Sequence, residues 1–439
     1  MKDPLQAITL MIVFGLTLDY RFFSGIPGLP SLTVVELLSY AALSLLIGKF
    51  ALEPEALGRR AVVLYRGNEA AIWYFIWTGL ASLTSLTRSA DALRYYKDLA
   101  PSLIVYVLVS VCIVNRNAIK GLVAAILSGT ALNLGLGISQ VLLGVPRIVE
   151  LAGTGGHKLD FSGRLAGLNI STGFFLHPNG YAIFLLPMAI LLVGLLLQRN
   201  GAKPTLKSLF ALMLLLTGAN LAGTYAKGVI AWVLIGIGIL IIVKRLGRAR
   251  TIVGLIIVFV GILGITLYGI GALGGGPYGT MVARYQLWKT GIRAIVTDPF
   301  ILFLGNGFAQ MMELSAHYSN FPYPNAHNTY INQAIYFGFP ALLLYLSLAG
   351  KALKSFSKLM RGPEGSQGNA ARILFAVEIA LLGVYFFEPA NEGVVLQAQF
   401  FTLLALAKAL GRVVEAEVER PSENRPQDRY LPNDLPSGF

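Results

Sequence analysis

The chain has 439 residues, 55% of them hydrophobic and only 13% charged, with a formal net charge of +13 and a mean hydropathy of +0.66. Soluble domains carry about 25% charged residues, so a water-facing surface of the usual kind is excluded, whereas an apolar bilayer asks for none. Nucleic acid is excluded as the reason for the positive balance, because the basic residues fall in short clusters between long apolar runs and not on one face.

A membrane span needs roughly 20 apolar residues to cross ~30 Å of hydrocarbon. In chain order the candidates are 5–18, 31–50, 70–87, 99–115, 119–145, 178–198, 205–223, 227–244, 250–273, 327–348, 370–388 and 393–410. The expected fold is therefore all-α and polytopic, with about 12 transmembrane helices over residues 1–410. The first apolar stretch has no small-residue cleavage pattern after it and is expected to remain as a span. The pair at 205–223 and 227–244 must turn almost at once. Cys112, the one cysteine, lies inside an apolar run, which rules out an intrachain disulfide framework and disfavours a cysteine-based metal site.

Loop charges orient these spans. With the N-terminus in the cytoplasm, the even-numbered loops carry 18 Lys and Arg and the odd-numbered loops 11, although the odd loops are longer. That bias places both termini in the cytoplasm. Two long outer loops are expected, at 146–177 and 274–326. The tail, 411–439, is polar and proline-bearing and is expected to be a disordered cytoplasmic segment. No internal repeat supports an inverted-repeat transporter.

Cations that stay on the outer side against this bias are candidates for function. Arg164 lies in the first long loop, ahead of His177-Pro178-Asn179-Gly180, where Asn179 could also cap the next helix. Lys227 heads the eighth span, a position from which a lysine also snorkels to headgroups. Arg284 lies in the second long loop. There Val282, Tyr285, Trp288, Ile292 and Ile295 have the spacing of an amphipathic helix in the interface, and Arg284 could merely hold it to lipid phosphate. His327 begins the tenth span; an imidazole near pKa ~6.5 can take a proton around neutral pH.

Taken together, these residues suit one chemistry. Arginine forks and a lysine bind a diphosphate, and a histidine beside them deprotonates an attacking hydroxyl. No carboxylate cluster of the usual Mg²⁺-holding kind accompanies them. Glu388 and Glu392, in Glu388-Pro389-Ala390-Asn391-Glu392, could orient a basic group or simply form a polar turn. Tyr278, Tyr285, Trp288, Tyr318, Phe321 and Tyr323 could stack on sugars or anchor in the interface. A transporter, the reading from another class, would place ionisable residues deep in the spans; Glu36 and Glu378 are the main such residues.

His327-Asn328-Thr329-Tyr330, followed by Gly338-Phe339-Pro340, resembles the His-Asn…Gly motif of the O-antigen ligase and polymerase family. Arg284…Trp288 with Gly305-Asn306-Gly307-Phe308 is similar to its Arg…Trp…Gly-x-Gly stretch. Arg164…Gly167…Pro178-Asn179 is similar to its Arg…Gly…Pro-Asn pattern. The three cover about 164–340, the family's signature region. One departure is Ala226-Lys227-Gly228, where the family often has Ser-Arg-Gly; the charge is kept and the bidentate fork lost.

The resemblance implies an inverting glycosyltransferase of the C class in the bacterial inner membrane. Its donor would be a glycan on undecaprenyl diphosphate and its acceptor lipid A–core, giving an O-antigen ligase of lipopolysaccharide biosynthesis. No metal, nucleotide or other cofactor is implied, nor any nucleic-acid partner. An O-antigen polymerase or a protein O-oligosaccharyltransferase shares the motifs. His327 and Arg284 are the implied catalytic residues, and Arg164, Lys227 and Arg284 the diphosphate-binding ones. Asn179, Asn328, Tyr285, Trp288 and Glu388 are further candidates.

Overall fold

The computed structural model describes residues 4–19, 21–22, 32–52, 68–85, 92–145, 170–175, 177–198, 204–244, 280–307, 314, 325–361, 366–389 and 393–418. Nearly all of them are helical. In order the helices are α1 (Pro4–Gly15), α2 (Val34–Leu52), α3 (Glu69–Ser85), α4 (Ala92–Cys112), α5 (Arg116–Leu143), α6 (Pro178–Leu196) and α7 (Pro204–Thr224). There follow α8 (Lys227–Lys244), α9 (Thr280–Thr297), α10 (Pro299–Leu304), α11 (Thr329–Leu359), α12 (Ser366–Val384) and α13 (Val394–Val418). A two-residue antiparallel pair, Arg21–Phe22 with Leu32–Thr33, closes the turn between α1 and α2.

A helix covers each expected span except 250–273, which lies outside the described residues. Seven helices among the described residues are long and apolar enough to cross a membrane: α5, α6, α7, α8, α11, α12 and α13; α1 and α2 hold shorter apolar stretches. The chain is an all-α, multi-pass membrane protein. In α6 and α13 most of the apolar stretch is buried inside the protein, whereas α5 and α7 turn most of theirs outward, where lipid takes the place of water.

Glu36 is buried, but as part of a helix cap. It is the third residue of α2, and it closes a capping box. Its N–H donates to Thr33 Oγ1 (3.2 Å) and its Oε2 accepts from Thr33 N–H (2.6 Å). Lys97 Nζ, 3.3 Å from Oε1, balances the charge. The sequence suggests depth because apolar residues run on from Glu36; the structure places it in the first turn of α2.

Two irregular stretches shape one end of the bundle. Residues 170–175 are non-helical yet mostly buried, so their backbone groups need partners. Side chains from α5 and the backbone of α7 supply them. Gln140 Oε1 accepts from the Thr172 and Gly173 N–H groups (both 2.9 Å), and its Nε2 donates to the Gly173 carbonyl (3.1 Å). Asn133 Oδ1 accepts from Phe174 N–H (3.0 Å), while Ser171 N–H reaches the Gly223 carbonyl (3.0 Å). This stretch leads directly into His177 and α6.

The second irregularity is a break in α11. Gly338 has φ 82°, and Pro340 two residues on has no N–H for the Tyr336 carbonyl. Three carbonyls at the break find partners outside α11. Ile335 accepts from Asn306 N–H (2.6 Å), Tyr336 from Gly307 N–H (3.4 Å) and Phe337 from Trp77 Nε1 (3.0 Å). Gly305 has φ 73°, and a Cβ there would collide with the Tyr336 backbone; a Cβ at Gly338 would collide with the Phe303 backbone. Gly305-Asn306-Gly307 and Gly338-Phe339-Pro340, separate motifs in the sequence, are two halves of one joint.

Candidate functional site

The site lies where the N-terminus of α11 meets the C-terminal end of α12. The last carbonyls of a helix have no partners within it. Here α11 supplies several of them: Tyr330 Oη donates to Leu382 O (2.5 Å), Thr329 N–H to Tyr385 O (2.8 Å) and Asn328 Nδ2 to Phe386 O (3.0 Å). Thr329 Oγ1 donates to Glu388 O (2.8 Å). Asn328 is also the N-cap of α11, its Oδ1 accepting from the N–H groups of Tyr330 and Ile331 (3.0 Å each). These bonds hold Glu388 at a set place beside His327.

Glu388 is the centre. Its carboxylate is buried, 7% exposed, and three segments converge on it. Arg284 Nη2 of α9 lies 2.8 Å from Oε1; Asn179 Nδ2 of α6 donates to Oε2 at 3.2 Å; His327 Nδ1 lies 4.0 Å from Oε2. Glu388 does lie in a short polar turn just after α12, and within that turn its carboxylate contacts Arg284, Asn179 and His327. Glu392 lies outside the described residues.

Arg284 does not simply hold α9 against lipid phosphate. The helix buries Leu287, Thr290 and Ala294, and at Gly291 it comes close to Ile331 and Ile335 of α11. Tyr285, Ile292 and Val296 face outward, at 44%, 53% and 73% exposure. The apolar stripe expected to lie whole in the interface is thus divided. At about 100° per residue, Trp288 and Ile295 fall on the edge between the two faces, and Arg284 shares that edge. Trp288 packs on Phe386 and Phe387, with ring centroids 5.2 and 6.0 Å away. Its indole N–H is buried without an acceptor among the described residues.

Asn179 does not cap α6. His177 does, its Nδ1 accepting from Asn179 N–H (3.2 Å), which releases the Asn179 amide toward Glu388. With Nδ1 an acceptor, the neutral His177 ring carries its proton on Nε2. The sequence signal for this role of His177 is its place directly before Pro178, the N1 position of a helix.

His327 has a left-handed backbone, φ 48°, held by Asn325 Oδ1 accepting its N–H (2.9 Å). Its imidazole is pulled down to about 4, first by burial and then by its electrostatic interactions with Arg284 and His177. Burial also lowers His177. Around neutral pH His327 is thus uncharged, and its ring can accept a proton.

Lys227 opens α8, exposed, just after Tyr225 at φ 55°, and takes no part in the Glu388 cluster. Arg164 lies outside the described residues. So do Tyr278, Tyr318, Phe321 and Tyr323. Among the described residues no group of three or more His, Cys, Asp or Glu side chains could hold a metal ion.

No family model matches the chain, and no curated protein matches it. The likeness to O-antigen ligases therefore rests on the motif residues themselves.

Proposed function

We propose that this protein transfers a glycan from undecaprenyl diphosphate to an acceptor hydroxyl on the outer face of the bacterial inner membrane, with lipid A–core as acceptor. The reading takes the chain as a C-class glycosyltransferase of about twelve spans with both termini in the cytoplasm. The observation that carries it is the convergence of Arg284, His327 and Asn179 on Glu388.

The chemistry is a single displacement. His327, uncharged, takes the proton as the acceptor oxygen attacks the anomeric carbon, and the bond to the diphosphate breaks on the opposite face, inverting the centre. Glu388 engages one nitrogen of Arg284 and leaves the rest of the fork to meet the diphosphate, where negative charge grows as the bond breaks. The motif resemblance, not the Glu388 cluster, is what adds Arg164 and Lys227 as further cations for that contact. Glu388 and Asn179 are positioning residues: they fix where the guanidinium and imidazole stand before substrate arrives.

The test is transfer by the purified protein from an undecaprenyl-diphosphate glycan to lipid A–core, followed on a gel. A glycan ladder on lipid A–core supports the reading. Lengthening of the lipid-linked glycan alone would make the protein a polymerase, and neither product would overturn the proposal.

A transporter has one observation behind it. Glu378 in α12 is fully buried, and neither carboxyl oxygen has a hydrogen-bond partner among the described residues. With Glu36 assigned to a helix cap, Glu378 does not by itself make a path.

A further inference from the structure

Three apolar spans have their ends at one place, at the opposite end of α12 from Glu388. There α6 stops at Leu196, α8 stops at Lys244 and α12 starts at Ser366. From Arg372 to Val384, the last residue of α12, is about 18 Å at 1.5 Å per residue. Gly194, Leu197, Leu240, Lys244, Asn369 and Arg372 line a notch between these helix ends. The end of a span marks the border between hydrocarbon and headgroups, so the notch stands at the depth of lipid phosphate.

Two cations are part of its wall. Lys244 Nζ donates to the carbonyl of Leu197, the C-cap of α6, which tethers the ammonium there. Arg372 Nη1 donates to Asn369 Oδ1 (2.8 Å), which leaves most of the five N–H donors of its fork. Both partners are neutral groups, so neither charge is balanced by them. Among the described residues no carboxylate lines the notch, and neither Lys244 nor Arg372 forms an ion pair. α12 has no acidic residue in its first turn, so the positive end of its dipole adds to the two charges.

We infer that this notch binds the phosphate of a phospholipid with an anionic headgroup. A phosphate offers oxygens to the ammonium and the guanidinium at once, and the bilayer around the spans presents it at this depth. The acyl chains lie along α8, where Ile241 and Leu234, two turns apart, are exposed. That apolar strip favours a lipid over free phosphate. The site is separate from the Glu388 cluster and independent of the proposed transfer.

The test reconstitutes the full-length protein in nanodiscs of equal parts phosphatidylglycerol and phosphatidylcholine, then measures the lipid retained on extraction by native mass spectrometry. Phosphatidylglycerol should be retained several-fold over phosphatidylcholine, and Lys244→Gln and Arg372→Gln should each cut that ratio about fivefold. Lys244 is exposed and ends its helix, so Lys244→Gln should unfold at the parental temperature and stays readable if Arg372→Gln does not fold. Lys358→Gln is the control for general surface charge. That lysine is exposed beside Glu415, outside the notch, and its loss should leave the ratio as it was. Equal retention of the two lipids overturns the inference, as does an unchanged ratio in either folded notch variant or an equal fall in Lys358→Gln.

Discussion

Arg284 Nη2 lies 2.8 Å from Glu388 Oε1, across 104 residues of chain. This contact joins α9 to the turn after α12 and sets a cation beside the neutral ring of His327. Removing the carboxylate would leave the guanidinium without its anchor and strip Asn179 of its acceptor. Glu388→Ala should therefore impair transfer at least tenfold, chiefly in kcat if geometry in the transition state is what is lost. Steady-state kinetics on the reconstituted protein, with thermal unfolding as a control for folding, provide the check.

Arg284→Lys keeps the charge and loses the fork, so it separates charge from geometry. Loss of a donor aimed at developing negative charge costs about 10²–10³ in kcat. Arg284→Ala should show that loss and Arg284→Lys should recover little of it. Full recovery by lysine would mean that charge alone suffices.

His327→Ala should lower turnover ~10²–10⁴-fold if the imidazole is the base. Its pH dependence is more specific. In the free protein the ring titrates at about 4; a bound diphosphate adds negative charge beside it and raises that value. The acid limb of kcat, which reports the complex, should then lie at higher pH than the limb of kcat/KM, which reports the free protein. Coincident limbs would argue against a diphosphate next to His327.

The same histidine ties stability to pH. Its folded pKa of about 4 lies below the ~6.5 of an unfolded histidine. Between those values the unfolded chain holds more protons, so stability rises with pH there. The contribution is complete above about 6.5 and is lost as pH falls toward 4. Thermal unfolding in detergent should show a shallower decline from pH 6.5 to 4.5 in His327→Gln than in the parent chain.

Gly338→Ala places a side chain at φ 82° and into the Phe303 backbone. With ψ at 166°, that conformation is one only glycine adopts readily and costs about 1–3 kcal/mol, and the overlap adds about 1–3 kcal/mol if the backbone must shift. Gly305→Ala meets the Tyr336 backbone and should behave alike. Because both act on one joint, the double variant should cost less than the sum of the two, a comparison readable from unfolding temperatures.

Much of the architecture was legible in the chain itself. Apolar runs of span length mark the helices because a bilayer leaves the backbone no other way to satisfy its polar groups. That constraint is local, so hydropathy along the chain finds α5, α6 and α13. Arg284 and His327 were likewise visible, one as a cation in the second long loop and the other as an imidazole at the head of a span. Glu36 shows the limit: apolar sequence alone did not reveal that it sits in a helix's first turn, bonded to Thr33 and Lys97.

What only the tertiary structure decided are the meetings between distant segments. Nothing near Glu388 in sequence tells that Arg284 and Asn179 will converge on it, since their side chains are brought there by how α6, α9 and α12 pack. Nor does either glycine motif announce the other, because a missing Cβ matters only when a second backbone occupies its place. Helix identity follows from bonds within one segment; the site depends on contacts between segments 58 to 209 residues apart, and those are set by packing and not by local pattern.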